Sequence, residues 1–182
     1  MIAPGDLAAP SGCAAILAAI APELRPISQG VTTVWEKRLA ACSVRYVARG
    51  EARVLLVLTG VGPAAAAASA EAVLARWPIS TLLSIGYAGA LQPHLRVGDL
   101  IGVESVRRHS LDAGPSGSPD DAPAPEKYRA WLKSDAALLA AAERLARRLA
   151  LPWRRGASLT VDAVVAEPRQ KQRLGAETGV AC

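Results

Sequence analysis

The stretch from Arg53 to Gly89 most constrains what this chain can fold into. It opens with an apolar run, Arg53–Leu58 (RVLLVL), too short for a stable helix and flanked at once by turn residues. Thr59-Gly60-Val61-Gly62 then makes a tight turn, and Pro63 suits the first position of a helix, where a missing N–H costs nothing. An alanine-rich segment runs from Ala64 to Trp77 and is stopped by Pro78. A second apolar run, Ser80–Ile85, ends in Gly86-Tyr87-Ala88-Gly89. Strand, helix and strand in this order, with strands apolar on both faces, predict an α/β layered fold whose sheet is covered on both sides.

The rest of the chain fits that frame. Ala14–Ile20 is a short apolar run stopped by Pro22 and reads as a buried strand, with Glu23 just beyond it. Val31–Trp35 and Cys42–Ala48 read as an antiparallel pair, and Gly98–Val106 as a strand after a turn. Ser134–Leu149 has the spacing of an amphipathic helix, with Ser134 as N-cap and Leu138, Ala142, Leu145 and Leu149 on the apolar face. Glu143, Arg144, Arg147 and Arg148 then point away from it. Trp153–Val165 contains a strand, and Pro168–Thr178 a short polar helix stopped by Gly179. Val180-Ala181 begins a further strand. The expected fold is a three-layer α/β/α sandwich with a mixed central sheet in a single domain over residues 1–182. Residues 1–12 are expected to be flexible, and the proline-, glycine- and aspartate-rich segment 110–125 to be a mobile loop.

Composition narrows the partners. The net charge is +5, but the basic residues are dispersed and no aromatics alternate with them as a base-stacking surface requires, which argues against a nucleic-acid partner. An anionic small molecule remains compatible with this charge. Cys13, Cys42 and Cys182 have neither disulfide-framework nor metal-ligand spacing, so no metal and a reducing compartment are expected. Residues 13–22 are too short to span a bilayer and have no basic segment before them. A soluble cytoplasmic protein without a membrane span is the expectation.

Open α/β sheets bind ligands at the carboxyl ends of their strands. Three such ends carry candidate residues here: Glu23, the Gly60-Val61-Gly62 turn and the Gly86–Gly89 turn. Each has two readings. The glycine turns are either turn chemistry or places where backbone N–H groups approach a ligand. Glu23 is either a solvated carboxylate or a proton acceptor.

Taken together, these segments resemble the purine nucleoside phosphorylase and methylthioadenosine/S-adenosylhomocysteine nucleosidase superfamily over about residues 13–182. The run TGVGPAAAAASAEAVLARWPISTLLSIGYAGALQPHLRVGDLI is similar to the family's glycine turn, Ala-rich helix and "tG.AGgL.p.l.vGD" succession, and LTVDAVVAEPRQKQRLGAETGVA to its later "sGD.fv" segment. The resemblance implies N-glycosidic bond cleavage of a purine nucleoside-like substrate, with no cofactor. It places Glu23 as the carboxylate that activates water. It places Gly62, Tyr87, Ala88, Gly89, Val164 and Val165 around the substrate.

The departures from that family pattern are specific. Tyr87 stands where the family has Ser, and Ser84 where one phosphorylase branch has a phosphate-binding Arg, which favours water over phosphate as nucleophile. Val164 replaces an aromatic residue and cannot stack on a base as a ring would. Asp162 falls at a recurrent family position, read here as a turn carboxylate, and Asp99 reads the same way. Arg107 and His109 correspond to an "RyHD"-like stretch, with His109 read as a surface histidine. The family's Met-Glu strand and later Asp would follow Cys182, so the domain is expected to be incomplete at its carboxyl terminus and open to self-association. Alternatives are a hopanoid-associated phosphorylase releasing adenine from an adenosyl-lipid, from a TVD…V…K..L stretch similar to residues 160–180, and a non-catalytic nucleoside-binding or oligomeric remnant. The expected partners are a nucleoside, with phosphate as a second possibility, and further copies of the chain.

Overall fold

A computed structural model describes residues 12–109, 111, 131–161 and 163–182. Nearly all of the segment 110–125, residues 1–11 and Asp162 lie outside the described residues. The chain divides into two compact units, one up to Tyr87 and one from Ala88 onward.

The first unit is built on a five-stranded mixed sheet. Its strands are β1 (Cys13–Ala18), β2 (Thr32–Arg38), β3 (Ser43–Arg49), β4 (Ala52–Leu58) and β5 (Ile79–Ser84), in the order β2-β3-β4-β1-β5. β1 runs parallel to both neighbours, with Leu17 opposite Val57 and Ser84, whereas β2, β3 and β4 form an antiparallel meander. Two helices join these strands, α1 (Ala21–Ser28) and α2 (Pro63–Arg76). Strand alternation sends Cys13, Ala15, Leu17, Val44, Tyr46, Leu55 and Val57 to one face, where they meet Val73 of α2 and Trp77. The other face carries Val47 and Leu56 and packs on Leu24 of α1. Helices on both faces explain why these strands read as continuous apolar runs. Trp35 closes the first core, stacked on Trp77 at 5.5 Å and tilted against Tyr46 at 5.3 Å. Truncating fully buried Leu55 to Ala should cost about 2–5 kcal/mol.

Pro22 does not simply end the first strand. The strand stops at Ala18, and Pro22 lies in the first turn of α1, an element absent from the sequence pattern. A proline within the first turn lacks only an N–H that has no helical partner there, so the same residue serves as a start.

The second unit holds a three-stranded sheet, order β7-β6-β8, with β6 (Leu100–His109) parallel to β8 (Trp153–Val161) and antiparallel to the short β7 (Leu132–Lys133). Its helices are α3 (Ala136–Arg148) and α4 (Pro168–Thr178). Gly179 ends α4 in the left-handed region, φ 67°. Val180-Ala181 is not a regular strand, yet Ala181 N–H donates to Ala157 O at 3.0 Å and Leu159 N–H to Cys182 O at 2.8 Å, beside β8. Asp99 takes the turn role expected of it: Oδ2 accepts from Arg96 N–H and Arg154 Nε, which hold its carboxyl below the usual range.

Helix α3 is turned relative to its sequence pattern. Asp135, not Ser134, caps it, accepting from Leu138 N–H at 2.9 Å. Ala146 is its buried residue, while Leu138, Leu145 and Leu149 are 40%, 46% and 56% exposed. Glu143 faces the sheet, where Oε2 takes Arg155 of β8 at 2.6 Å and Oε1 takes Arg147. The small Ala146 permits close approach of helix to sheet, and the ion pair turns Glu143 inward.

Candidate active site

Glu23 is the third residue of α1, placed where its side chain can reach back to the start of the helix. Oε2 accepts from Ala19 N–H at 2.9 Å and Ile20 N–H at 3.1 Å, both at the carboxyl end of β1. Ile20 has no side-chain acceptor, so only this half of a capping box exists. Oε1 accepts from Tyr87 N–H at 2.9 Å, across 64 residues of sequence. A carboxylate offers about four acceptor positions; three are taken, and the remaining one is on Oε1. Gly86 lies directly beneath, since a Cβ there would sit 2.7 Å from Oε1. The absent side chain is thus explained by the carboxylate and not by backbone conformation. The Tyr87 hydroxyl donates to Pro22 O at 3.3 Å, which pins the ring at both ends beside Glu23 while leaving the residue 72% exposed.

The neighbouring strand ends are tied together. Thr59 N–H donates to Ala18 O and Gly60 N–H to Ala19 O. Gly60 and Gly62 both have positive φ, 84° and 103°, and Gly62 is the N-cap of α2. A Cβ at Gly62 would meet nothing within 4 Å, so this glycine serves the turn. A cavity of about 440 Å³ opens at these ends, lined among others by Ile20, Arg38, Leu39, Cys42, Thr59 and Gly60. Burial pushes the Cys42 thiol up from its ordinary value.

In the second unit, Ala88 and Gly89 are exposed and Gly89 lies against Lys171 of α4. Val164 and Val165 follow β8, Val164 being 91% exposed and Val165 half-buried. The Arg107 guanidinium lies over the Trp131 ring at 4.7 Å. His109 ends β6. All three cysteines are buried free thiols, and no group of three or more metal-ligating side chains occurs among the described residues.

Residues 14–182 match the family model of the phosphorylase superfamily. The chain belongs to that superfamily.

Within it, the chain is similar to the 5'-methylthioadenosine/S-adenosylhomocysteine nucleosidases of Marinomonas sp. (32% identity over 98 residues, 53% of this chain and 42% of that protein) and Tolumonas auensis (27% over 157 residues, 84% and 66%). It therefore spans between about two-fifths and two-thirds of the length of these relatives. The Neisseria meningitidis nucleosidase, solved in complex with methylthio-immucillin-A, superposes with a TM-score of 0.78 at 21% identity, over 93% of this chain and 74% of that one. The fold is the one those nucleosidases share. No helix of the described residues is long and apolar enough to cross a membrane.

For this superfamily chain, the sequence pattern located Glu23 and the Gly86–Tyr87 turn separately, and the structure joins them by a hydrogen bond. Arg38, Cys42 and Lys171 escaped the sequence reading. Arg38 ends β2 and Cys42 lies in the turn before β3, a segment that carries no motif, and Lys171 is one cation among many on a polar helix.

Proposed function

We propose that this chain carries the water-activating part of a nucleosidase that hydrolyses the N-glycosidic bond of a purine nucleoside. The observation that carries this reading is the Glu23 carboxylate, fixed by Ala19, Ile20 and Tyr87 N–H groups with one acceptor position left on Oε1. A fixed carboxylate accepts a proton from water as the water oxygen bonds to the anomeric carbon. The C1'–N bond breaks with its electron pair going to the base, which takes up a proton, so that free base and free sugar result. Gly62 and Tyr87, of the same unit as Glu23, are assigned to the walls around the substrate.

Water is favoured over phosphate because the Tyr87 phenol occupies ground where a hydroxyl could hold an anion, and Ser84 offers no charge. Kinship to nucleosidases supports 5'-methylthioadenosine or S-adenosylhomocysteine as substrate. The reading includes a homo-oligomer in the cytoplasm, tested by sedimentation and cell fractionation.

The decisive assay measures adenine release from 5'-methylthioadenosine, S-adenosylhomocysteine and adenosine, and hypoxanthine release from inosine, with and without phosphate. Glu23→Gln should lower kcat by about 10²–10⁴-fold. Turnover unchanged in Glu23→Gln, or no turnover by the folded protein on any of the four, refutes the reading.

A further inference from the structure

Helix α1 carries Pro22 in its first turn and Pro26 one turn further on. In an α-helix the carbonyl of Pro22 takes its hydrogen bond from the N–H of residue 26, and a proline there has none to give. The proline ring also crowds the carbonyl one turn before it and bends the helix at that point. The turn that carries Glu23 therefore has an acceptor without a helical donor, one residue before the carboxylate. With 8 residues and both prolines, α1 has little helical stability of its own to hold that turn.

Tyr87 supplies a donor from outside the helix. Its hydroxyl donates to Pro22 O at 3.3 Å, while its N–H donates to Glu23 Oε1 at 2.9 Å. One residue thus holds Glu23 at both ends, at the carboxylate tip and at the backbone just before its Cα. The other tip oxygen accepts from Ala19 and Ile20 N–H groups, at the head of the same turn. Opening of the turn would move Glu23 Cα and loosen every contact of the tip.

We propose that the Tyr87 hydroxyl is a positioning group for Glu23, acting through the Pro22 carbonyl that Pro26 leaves without a helical donor. This rests on the nucleosidase reading for the step that Glu23 performs. The phenol gives and takes no proton in that step; it completes the turn from which the carboxylate is aimed. A phenol acting directly on substrate or water would be indifferent to residue 26. One acting through the turn becomes dispensable once residue 26 can donate.

The test uses the full chain with Tyr87→Phe, Pro26→Ala and the two combined. Tyr87→Phe keeps the ring and the N–H and removes only the hydroxyl. Amide hydrogen exchange at Ala19 and Ile20 reads whether Glu23 holds its place, whether or not a substrate turns over. Exchange at both amides should be about 2–10-fold faster in Tyr87→Phe, the scale of one hydrogen bond. In adenine release from 5'-methylthioadenosine, kcat should fall by about tenfold with KM within about twofold of the parent, because the ring stays and the base is misaligned. Pro26→Ala alone should leave both readouts near the parent, and in its background Tyr87→Phe should change either by less than about twofold. That rescue is the result a phenol with a packing role alone would not give. The proposal is overturned if Tyr87→Phe exchanges like the parent, if exchange rises while kcat of an active parent is unchanged, or if the cost of Tyr87→Phe persists in the Pro26→Ala background. Should Tyr87→Phe fail to fold by circular dichroism, the combined variant decides: parent-like exchange supports the proposal, and renewed failure to fold overturns it. Absence of turnover by the parent would instead count against the nucleosidase reading, and the exchange arm still decides the positioning.

Discussion

Gly86→Ala probes the contact on which the candidate site rests. Gly86 does not have a positive φ, so alanine meets no backbone penalty there. By itself the exchange should stabilise by about 0.4–1 kcal/mol through the unfolded chain. The new Cβ, however, would sit 2.7 Å from Glu23 Oε1, closer than real Cβ atoms come, and a tight 3.2 Å from Cδ. A glutamate tip is ordinarily free to swing aside, but here Ala19, Ile20 and Tyr87 N–H groups hold it. Relief therefore requires loosening at least one charge-assisted hydrogen bond, on the scale of 1.5–3 kcal/mol. The net cost is about 0.5–2.6 kcal/mol, a fall in Tm of roughly 1–10 °C for a chain of this length. A displaced base also loses alignment with water, and kcat should fall by about 10²-fold. Denaturant unfolding of a double-mutant cycle with Glu23→Ala isolates the cause: without the carboxylate, Gly86→Ala should be neutral or mildly stabilising. A coupling energy below about 0.5 kcal/mol would refute the reasoning, because it would mean that alanine and carboxylate do not compete for space.

Two further outcomes are expected. On α3, Leu145→Gln should change unfolding stability by no more than about 0.5 kcal/mol because Leu145 lies on the exposed side, whereas Ala146→Leu should cost about 1–3 kcal/mol by overpacking the contact with the sheet; the reverse ranking would restore the sequence-based face. The folded pKa values of Asp99 and Glu143 are lowered, first by the Arg96 N–H and the Arg155 guanidinium respectively, so their contribution is present above the unfolded values of 3.8 and 4.5 and is lost as pH falls below them. In an acid titration of Tm, Asp99→Asn and Glu143→Gln should each flatten the decline below pH 4.5 relative to the parent, leaving the profile above pH 6 parallel to it.

Much of the architecture was legible because its causes are local. The apolar runs Ala14–Ile20 and Arg53–Leu58, the antiparallel pair near Val31–Trp35 and Cys42–Ala48, the proline that opens α2 and the glycine that ends α4 all occur in the structure close to where periodicity and turn chemistry put them. Strand alternation and helix capping act over a few residues and so are written in adjacent letters. Pro22 shows the limit of that reading: a proline marks a boundary without saying whether an element ends or begins there.

The sequence by itself determined the order of elements, the two glycine turns at strand ends and the presence of a carboxylate after the first strand. Only tertiary structure decided what those features do to one another. Glu23 and Tyr87 are 64 residues apart, and parallel pairing of β1 with β5 brings them within a hydrogen bond. Which face of α3 is buried was settled by its packing on β6 and β8, which takes the small Ala146 against the sheet, brings Glu143 to Arg155 and leaves the leucine stripe outward. Lys171 acquired its place beside Gly89 through a backbone contact at Gly175. Contacts of this kind depend on which surfaces meet in space, and local propensity carries no record of them.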